Sequence, residues 1–407
     1  MPALAHIVSA AWRQRLMPAL IALQVVFASM ILVNALYLFW QQLAPMAVPD
    51  GIAPKQVLVV DQLVARDGRW NAAQVQAGAQ RLRALPGVRA VAPGIGVPMR
   101  ESISFELELG AEGGPLANAS AYAGEGLIDA LGLELIQGRD FKPDEHFDFD
   151  LSGDRPALAP VILTRALAKH LFPEGDALGA QLGDGDHQLV VVGVVRHLLR
   201  YQVGELDDGR AEFALLLPAR VTGTPVLSYV VRTELHRLDA VEEAIPDALR
   251  QEFGAAIAPG VPPAVASYER LRALAFQPRR AALWLLGTVC AVVALVTGLG
   301  LASLTAYWVE QRTRQIGIRR ALGATHQQIL RHFQLENLLL VGLGAAIGVP
   351  LALAANQWLM QHYELPRLPL PWLPAGAIVL LLLGQLAVWA PARRAASIPP
   401  AMATRSA

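Results

Sequence analysis

Hydrophobic and polar residues are unevenly spread along the chain. Four stretches, Leu16–Pro49, Ala281–Val309, Asn337–Tyr363 and Leu368–Ala392, contain no Asp, Glu, Lys or Arg. A membrane-crossing helix needs about 20 apolar residues at about 1.5 Å each, and every one of these stretches supplies them. Four transmembrane helices are therefore expected, over residues 16–45, 281–309, 337–359 and 372–390. The first is longer than the roughly 7–15 apolar residues of a signal-peptide core and no small-x-small cleavage site follows it, so it is expected to stay as an anchor. Tyr37 and Trp40 would then lie near an interface. The second is 29 residues long, which exceeds the hydrocarbon thickness of about 30 Å when wound as a helix. Continued back to Tyr268 through Pro278, it would project from the membrane as a stalk.

Between the first two spans the pattern changes. Gln56–Leu63 is a β-branched run, Asn71–Leu85 has helical spacing and stops at Pro86-Gly87, and Val88–Ala92 reads as a strand. From Ser102 to Leu109, Ile103, Phe105, Leu107 and Leu109 alternate with polar residues, the period of a half-buried strand. Val226–Arg232 and Leu238–Phe253 repeat the strand and helix pairing near the far end. Further strands are expected at Pro160–Leu163, Gln188–Val195 and Glu212–Leu217. The fold class is thus a multi-pass α-helical membrane protein with a large α+β domain over 46–280. Its two flanks, about 50–115 and 222–270, would form one layer, with a strand-rich lobe, about 116–221, inserted between them.

Charge then orients this plan. Charged residues make up 17% of the chain, against roughly 25% in soluble domains, which excludes a wholly soluble enzyme. The formal net charge is zero, yet residues 50–280 carry 31 acidic and 23 basic side chains and so sum to −8, leaving +8 elsewhere. Arg13 and Arg15 precede the first span, five arginines lie between the second and third, and Arg393, Arg394 and Arg405 follow the fourth. By the positive-inside rule the termini (1–15 and 391–407) and the 310–336 segment are cytoplasmic. The domain at 46–280 and a short loop at 360–371 are then outside. Arg279 and Arg280 oppose this orientation and are outvoted. No bulk basicity points to nucleic acid.

Candidate chemistry is sparse. The three lysines, Lys55, Lys142 and Lys169, follow Pro54, Phe141 and Ala168, so no G-x-x-x-x-G-K-[ST] phosphate loop occurs in these 407 residues. No H-E-x-x-H or G-x-S-x-G pattern is present, and the acidic run Asp140, Asp144, Glu145, Asp148, Asp150 and Asp154 lacks calcium-loop spacing. Cys290 is the sole cysteine and reads as a small residue in a span. Gln24, Asn34, Asn356 and Gln385 are the strongly polar residues deep in the spans, and amide bonds between helices account for them. Proton-driven transport, which uses intramembrane ionisable relays, is disfavoured. In the third span Gly344 and Gly348, beside Gly342, form a small-xxx-small pair suited to close helix contact within or between chains.

The most specific stretch is Glu310-Gln-Arg-Thr-Arg-Gln-Ile-Gly-Ile-Arg-Arg-Ala-Leu-Gly-Ala-Thr325. Wound as one helix to Gln334, it would place Ile318, Leu322, Ile329 and Phe333 on one side and Arg319, Arg320, Gln327 and Arg331 on the other. It strongly resembles the E-R-T-R-E-I-G-I-R-[KR]-A-L-G-A signature of MacB/FtsX-type ABC transporter permeases, with Gln315 in place of the usual Glu. Gln137–Phe141, Pro160–Pro173, Asp176–Gly179, Val192–Val195 and the tail Pro391–Pro400 extend the resemblance across the outer domain and the later spans.

The resemblance implies a dimeric permease, with an identical or different second permease subunit, whose large periplasmic domain is moved by a cytosolic ABC ATPase. Cargo such as drugs, peptides, lipids or lipoproteins would then be handled by mechanotransmission. ATP and Mg would bind in the partner ATPase, with no cofactor held by this chain. The further partners implied are membrane lipids and a periplasmic adaptor. By the same likeness, Glu310, Arg312, Arg314, Ile316, Gly317, Ile318, Arg319, Arg320, Leu322, Gly323, Ala324 and Thr325 form the ATPase-docking segment. The arginines would supply contacts and Gly317, Gly323 and Ala324 a turn or close approach. The alternative carried by the same family is a transmembrane regulator of periplasmic partners such as cell-wall hydrolases.

Overall fold

A computed structural model describes residues 16–100, 105–111, 113–149, 156–184, 187–201, 210–363 and 368–396. The chain divides into two units, 1–43 with 279–407 and 44–278, each described by itself. Residues 1–15, Ser102–Ser104, Asp150, Asp154, Arg367 and the tail beyond Ala396, for which the sequence raises expectations, lie outside the described residues, as does the side chain of Arg320.

The first charge-free run winds into helix α1, Leu16–Ala47. After it, the large unit starts with β1 (Val57–Val64), whose Leu58 and Val60 face one apolar cluster while Val57 and Val59 face another. Burial on both faces explains why this strand reads as a continuous β-branched run rather than an alternating one. At Gln62 the backbone turns left-handed (φ 61°) and the pairing register slips. The neighbouring Asp61 is fully buried, accepting a 2.7 Å hydrogen bond from Ser228 Oγ with Arg100 Nε at 3.7 Å.

Helix α2 (Ala72–Arg83) starts from a capping box. Asn71 Oδ1 accepts from Gln74 N at 2.9 Å and Asn71 N donates back to Gln74 Oε1 at 3.1 Å. The chain continues through β2 (Val88–Ile95), β3 (Glu106–Gly110), β4 (Leu116–Gly124), α3 (Leu127–Leu131), β5 (Leu135–Gly138), β6 (Phe147–Phe149), β7 (Leu158–Thr164) and α4 (Arg165–Leu171). Then come β8 (Gln181–Asp184), β9 (His187–Val195), β10 (Ala214–Val221), β11 (Val226–Thr233), α5 (Leu238–Phe253), β12 (Ala264–Ser267) and α6 (Tyr268–Ala275).

The strands run β12-β1-β11-β2-β4-β3-β8-β9-β7-β10-β6, with β5 added to β9. Because β10 also pairs with β4 in parallel, the path β4-β3-β8-β9-β7-β10 closes on itself. In this path β12-β1-β11-β2, covered by α2 and α5, precede the ring formed by β4, β3, β8, β9, β7 and β10. β3, in the 50–115 stretch, pairs with β4 from Glu106↔Ser120 to Gly110↔Leu116 and so is a member of the ring.

β4 itself, LANASAYAG, carries no strand pattern in its sequence. Alanine has weak strand preference, but Ala117, Ala119, Ala121 and Ala123 are all buried, and their small size lets one strand serve three partners, β2, β3 and β10. In the flank, Trp70 donates from Nε1 to Leu63 O at 2.7 Å and lies 4.8 Å from the Phe253 ring, locking α5 over the sheet. Two residues of the acidic run, Asp140 and Glu145, serve local turns. Asp140 caps Phe141 N at 2.7 Å, and Glu145 accepts from Lys142 N at 2.8 Å and from Arg139. Among the described residues no group of three or more His, Cys, Asp or Glu could hold a metal ion.

The expected stalk is broken. Ser267 caps α6, Arg270 N donating to its Oγ at 3.3 Å, and Phe276 ends it. Helix α7 (Gln277–Gln311) then starts afresh with Pro278 in its first turn, where no N–H is needed. After it come α8 (Thr313–Ala321), α9 (His326–Tyr363) and α10 (Trp372–Ala396). Helices α1, α7, α9 and α10 are long and apolar enough to cross a membrane. The third is longer than expected, since α9 begins inside the 310–336 segment.

Several of their deep amides bond to backbone groups of other segments, as lipid favours. Gln24 Nε2 donates to Val296 O and Thr297 O at 3.2 Å, Asn34 to Ala352 O at 3.2 Å, and Asn356 Oδ1 accepts from Leu368 N at 3.0 Å. Arg279 is 8% exposed and donates to Gln41 O at 3.4 Å. That carbonyl lacks a helical donor because Pro45, four residues on, has no N–H.

Gly344 and Gly348 press on α1. A Cβ at Gly344 would sit 2.7 Å from Val25 Cβ, and one at Gly348 2.6 Å from Ser29 Cβ and 2.9 Å from Val26 Cα, whereas Gly342 faces open space. The small pair therefore serves packing within the chain. Gly348→Leu should destabilise the bundle by about 1–3 kcal/mol through overpacking, and Gly342→Leu should stay within about 0.5 kcal/mol, both read by thermal unfolding in detergent.

In the large unit, the hydrogen bond from Arg139 holds the Glu145 carboxyl at about 2, below its ordinary 4.5. A carboxyl lowered on folding stabilises above its unfolded pKa and loses that contribution as pH falls. Stability should therefore decline as pH drops from 4.5 towards about 2. Arg139→Ala should flatten this decline by no more than about 1 kcal/mol, the pair being partly exposed, as followed by denaturant titration at several pH values.

Candidate functional site

The segment singled out by its residues is a short helix held between two long ones. At the end of α7, Thr313 Oγ1 donates to Glu310 O at 2.8 Å, and Arg312 N to Val309 O at 3.1 Å, which closes the last turn and starts α8. Helix α8 stops at a left-handed glycine, Gly323, with φ 96°. Ala324 N donates back to Arg319 O at 3.0 Å, the six-to-one bond of a Schellman stop. An L-residue in that conformation costs about 1–2 kcal/mol, which is why glycine stands there. Thr325 then caps α9 in a capping box. Gln328 N donates to its Oγ1 at 3.3 Å and Thr325 N to Gln328 Oε1 at 2.9 Å.

This turn overturns the single helical wheel expected over 310–334. Ile318 and Leu322 do not share a face with Ile329 and Phe333, because one helix ends at Gly323 and another starts after Thr325 between them. Ile329 and Phe333 are buried with Ile316, Val309, Val388 and Ala392, while Ile318 is 49% and Leu322 83% exposed. Gly317 is buried beside Ile316, and Glu310, Arg314, Arg319 and Thr325 are exposed. The segment thus presents Arg314, Ile318, Arg319 and Leu322 outward and packs Ile316 and Gly317 inward. Gln315 lines a cleft of about 190 Å³ with Arg319, Gln328 and His332, so the substitution removes a charge at a surface rather than in the core.

Arg312 behaves differently from the other arginines. Its Nη1 lies 3.0 and 3.4 Å from the two carboxylate oxygens of Glu336, and its guanidinium stacks 4.5 Å over Trp308. Glu336 is 2% exposed. Beside it, Asn337 donates to Gly384 O at 3.0 Å and Gln385 donates to Gln334 O at 3.2 Å, joining α9 to α10. Glu336 escaped the sequence reading because it stands 24 residues from its partner and only bounds a charge-free run.

A family model, the FtsX-like permease C-terminal, matches residues 287–400. The chain is 30% identical over 259 residues to the macrolide export ATP-binding/permease protein MacB of Rhodospirillum rubrum, covering 61% of this chain and 38% of that protein. It is 24% identical over 286 residues to an uncharacterized ABC transporter permease, YknZ, of Bacillus subtilis, covering 69% and 68% respectively. Among solved structures, the periplasmic region of MacB from Actinobacillus actinomycetemcomitans matches at 15% identity with a TM-score of 0.36, covering 55% of this chain and 94% of that one. The chain spans less than half the length of the MacB relatives it matches.

Gly323→Leu should cost about 1–2 kcal/mol of bundle stability by straining the left-handed turn. Leu322→Ser, at a surface position, should change it by less than about 0.5 kcal/mol. Unfolding of the full chain in detergent separates the two.

Proposed function

We propose that this chain, which belongs to the MacB/FtsX-type permease family, is the membrane subunit of an ABC transporter driven by a separate cytosolic ATPase. In this reading α8 docks on the ATPase, both termini and α8 are cytoplasmic, and the large unit is periplasmic. ATP-driven movement of the helices reshapes that unit to export or extract a hydrophobic or amphiphilic cargo. A second permease subunit completes the complex, with room for a periplasmic adaptor.

The observation that carries the proposal is the outward face of α8 and its turn. Two exposed arginines, Arg314 and Arg319, stand beside two exposed apolar side chains, Ile318 and Leu322, between helices of membrane-crossing length. A basic rim around exposed apolar anchors is the composition of a protein-docking surface. Mechanical transmission is further supported by the spans, where Gln24, Asn34 and Asn356 are amides bonded to the backbone of other segments and not ionisable relays.

A mild-detergent pull-down of the full chain should recover an ATPase carrying a phosphate loop. Gly323→Leu with Arg319→Glu should cut that recovery at least about ten-fold, a loss of about 1.4 kcal/mol in binding, while membrane insertion is retained. Unchanged recovery, or no ATPase with the unaltered chain, would sink the reading.

A further inference from the structure

The pair formed by Arg312 and Glu336 has a place that docking does not explain. A carboxylate is almost never fully buried unless paired, and burying an ion pair brings no assured gain in stability over apolar packing. Glu336 is nevertheless enclosed at the end of the bundle, held by Arg312, which is itself stacked on Trp308 of α7. What such a pair supplies over an apolar contact is fixed geometry, because two carboxylate oxygens and one guanidinium define a register that packed methyl groups do not.

The connections of that register are specific. Arg312 is the residue between α7 and α8. Glu336 lies on α9 within one turn of Gln334 and Asn337, which bond to α10 through Gln385 Nε2 and Gly384 O. One polar layer therefore joins the start of α8 to three long helices. The remaining inward contacts of α8, through Ile316, are apolar and lie on the same side as Ile329, Phe333 and Val388.

We propose that Glu336, acting through Arg312, is a positioning residue that locks the start of α8 to α9, so that force applied to α8 passes into α9 and α10. Arg312 is thereby assigned inward, and docking is left to Arg314, Ile318, Arg319 and Leu322. This inference rests on α8 being the ATPase-docking element.

The test uses the full chain and three versions of it: Glu336→Gln, which keeps shape and removes the charge, Arg312→Gln, and the exchange Arg312→Glu with Glu336→Arg. The first readout needs no partner. Amide hydrogen exchange over 313–321 should accelerate at least about ten-fold in both single variants, about 1.4 kcal/mol of opening free energy. Exchange over 340–352 should stay within two-fold, the sign that the bundle remains folded. The exchanged pair should restore protection.

The second readout uses the ATPase recovered with the chain. Its yield should stay within two-fold in Glu336→Gln. A spin-label distance between positions 338 and 386, in a Cys290→Ser background, should change on trapping with ATP and vanadate in the parent and not in Glu336→Gln. Unaltered exchange over 313–321 in Glu336→Gln overturns the positioning role. A distance change that persists in that variant overturns the transmission. If the unaltered chain recovers no ATPase, the docking reading and the transmission fail together, and the exchange experiment alone decides whether Glu336 positions α8.

Discussion

Hydrocarbon cannot solvate a charge or an unpaired peptide group, and each such group left there costs several kcal/mol. This one constraint organises the chain. It removes Asp, Glu, Lys and Arg from four runs, forces those runs into helices that satisfy their own backbones, and leaves the few deep polar side chains to bond across helices. Gln24, Asn34 and Asn356 each find a backbone partner on another segment. Where a charge does approach the bundle it is matched. Arg279 meets the carbonyl that Pro45 frees on α1, and Glu336 meets Arg312.

The large unit follows a different rule. With water available, its strands are limited by which faces they bury, and β1 and β11 bury both, so side chains alternate between two apolar clusters. The closed ring of β4, β3, β8, β9, β7 and β10 removes free edges that would otherwise invite pairing with other chains. Alanine-rich β4 makes closure feasible, because its small side chains let three neighbours approach.

Between these regimes stands α8. Its ends are set by local chemistry, a threonine bond at the start and a left-handed glycine followed by a threonine capping box at the finish. Its inward face is short, the buried Gly317 and Ile316, the latter packed against α9 and α10, and its outward face carries arginines and exposed aliphatic side chains. A helix of nine residues is marginal alone in water, so its position depends on the tertiary contacts that the Arg312–Glu336 pair completes.

The sequence by itself determined the features that rest on local composition and short-range periodicity. The four apolar helices follow from the exclusion of charge. The β-branched strands β1, β9 and β11 and helices α2 and α5 follow from runs and spacings whose physical causes lie within a dozen residues. The segment from Glu310 to Thr325 stood out by its residues, although its shape did not. Tertiary structure decided what depends on distant partners. It placed β3 in the ring and revealed β4, since an alanine-rich strand is stabilised only by the sheets around it. It directed Gly344 and Gly348 onto α1, because a small residue states that something approaches closely and not what. It split the expected amphipathic helix at Gly323, whose left-handed backbone sends the two halves of the stripe to different surroundings. And it turned Arg312 inward, because a guanidinium goes to the nearest buried carboxylate, and that carboxylate is brought near only by the packing of α9 against α7.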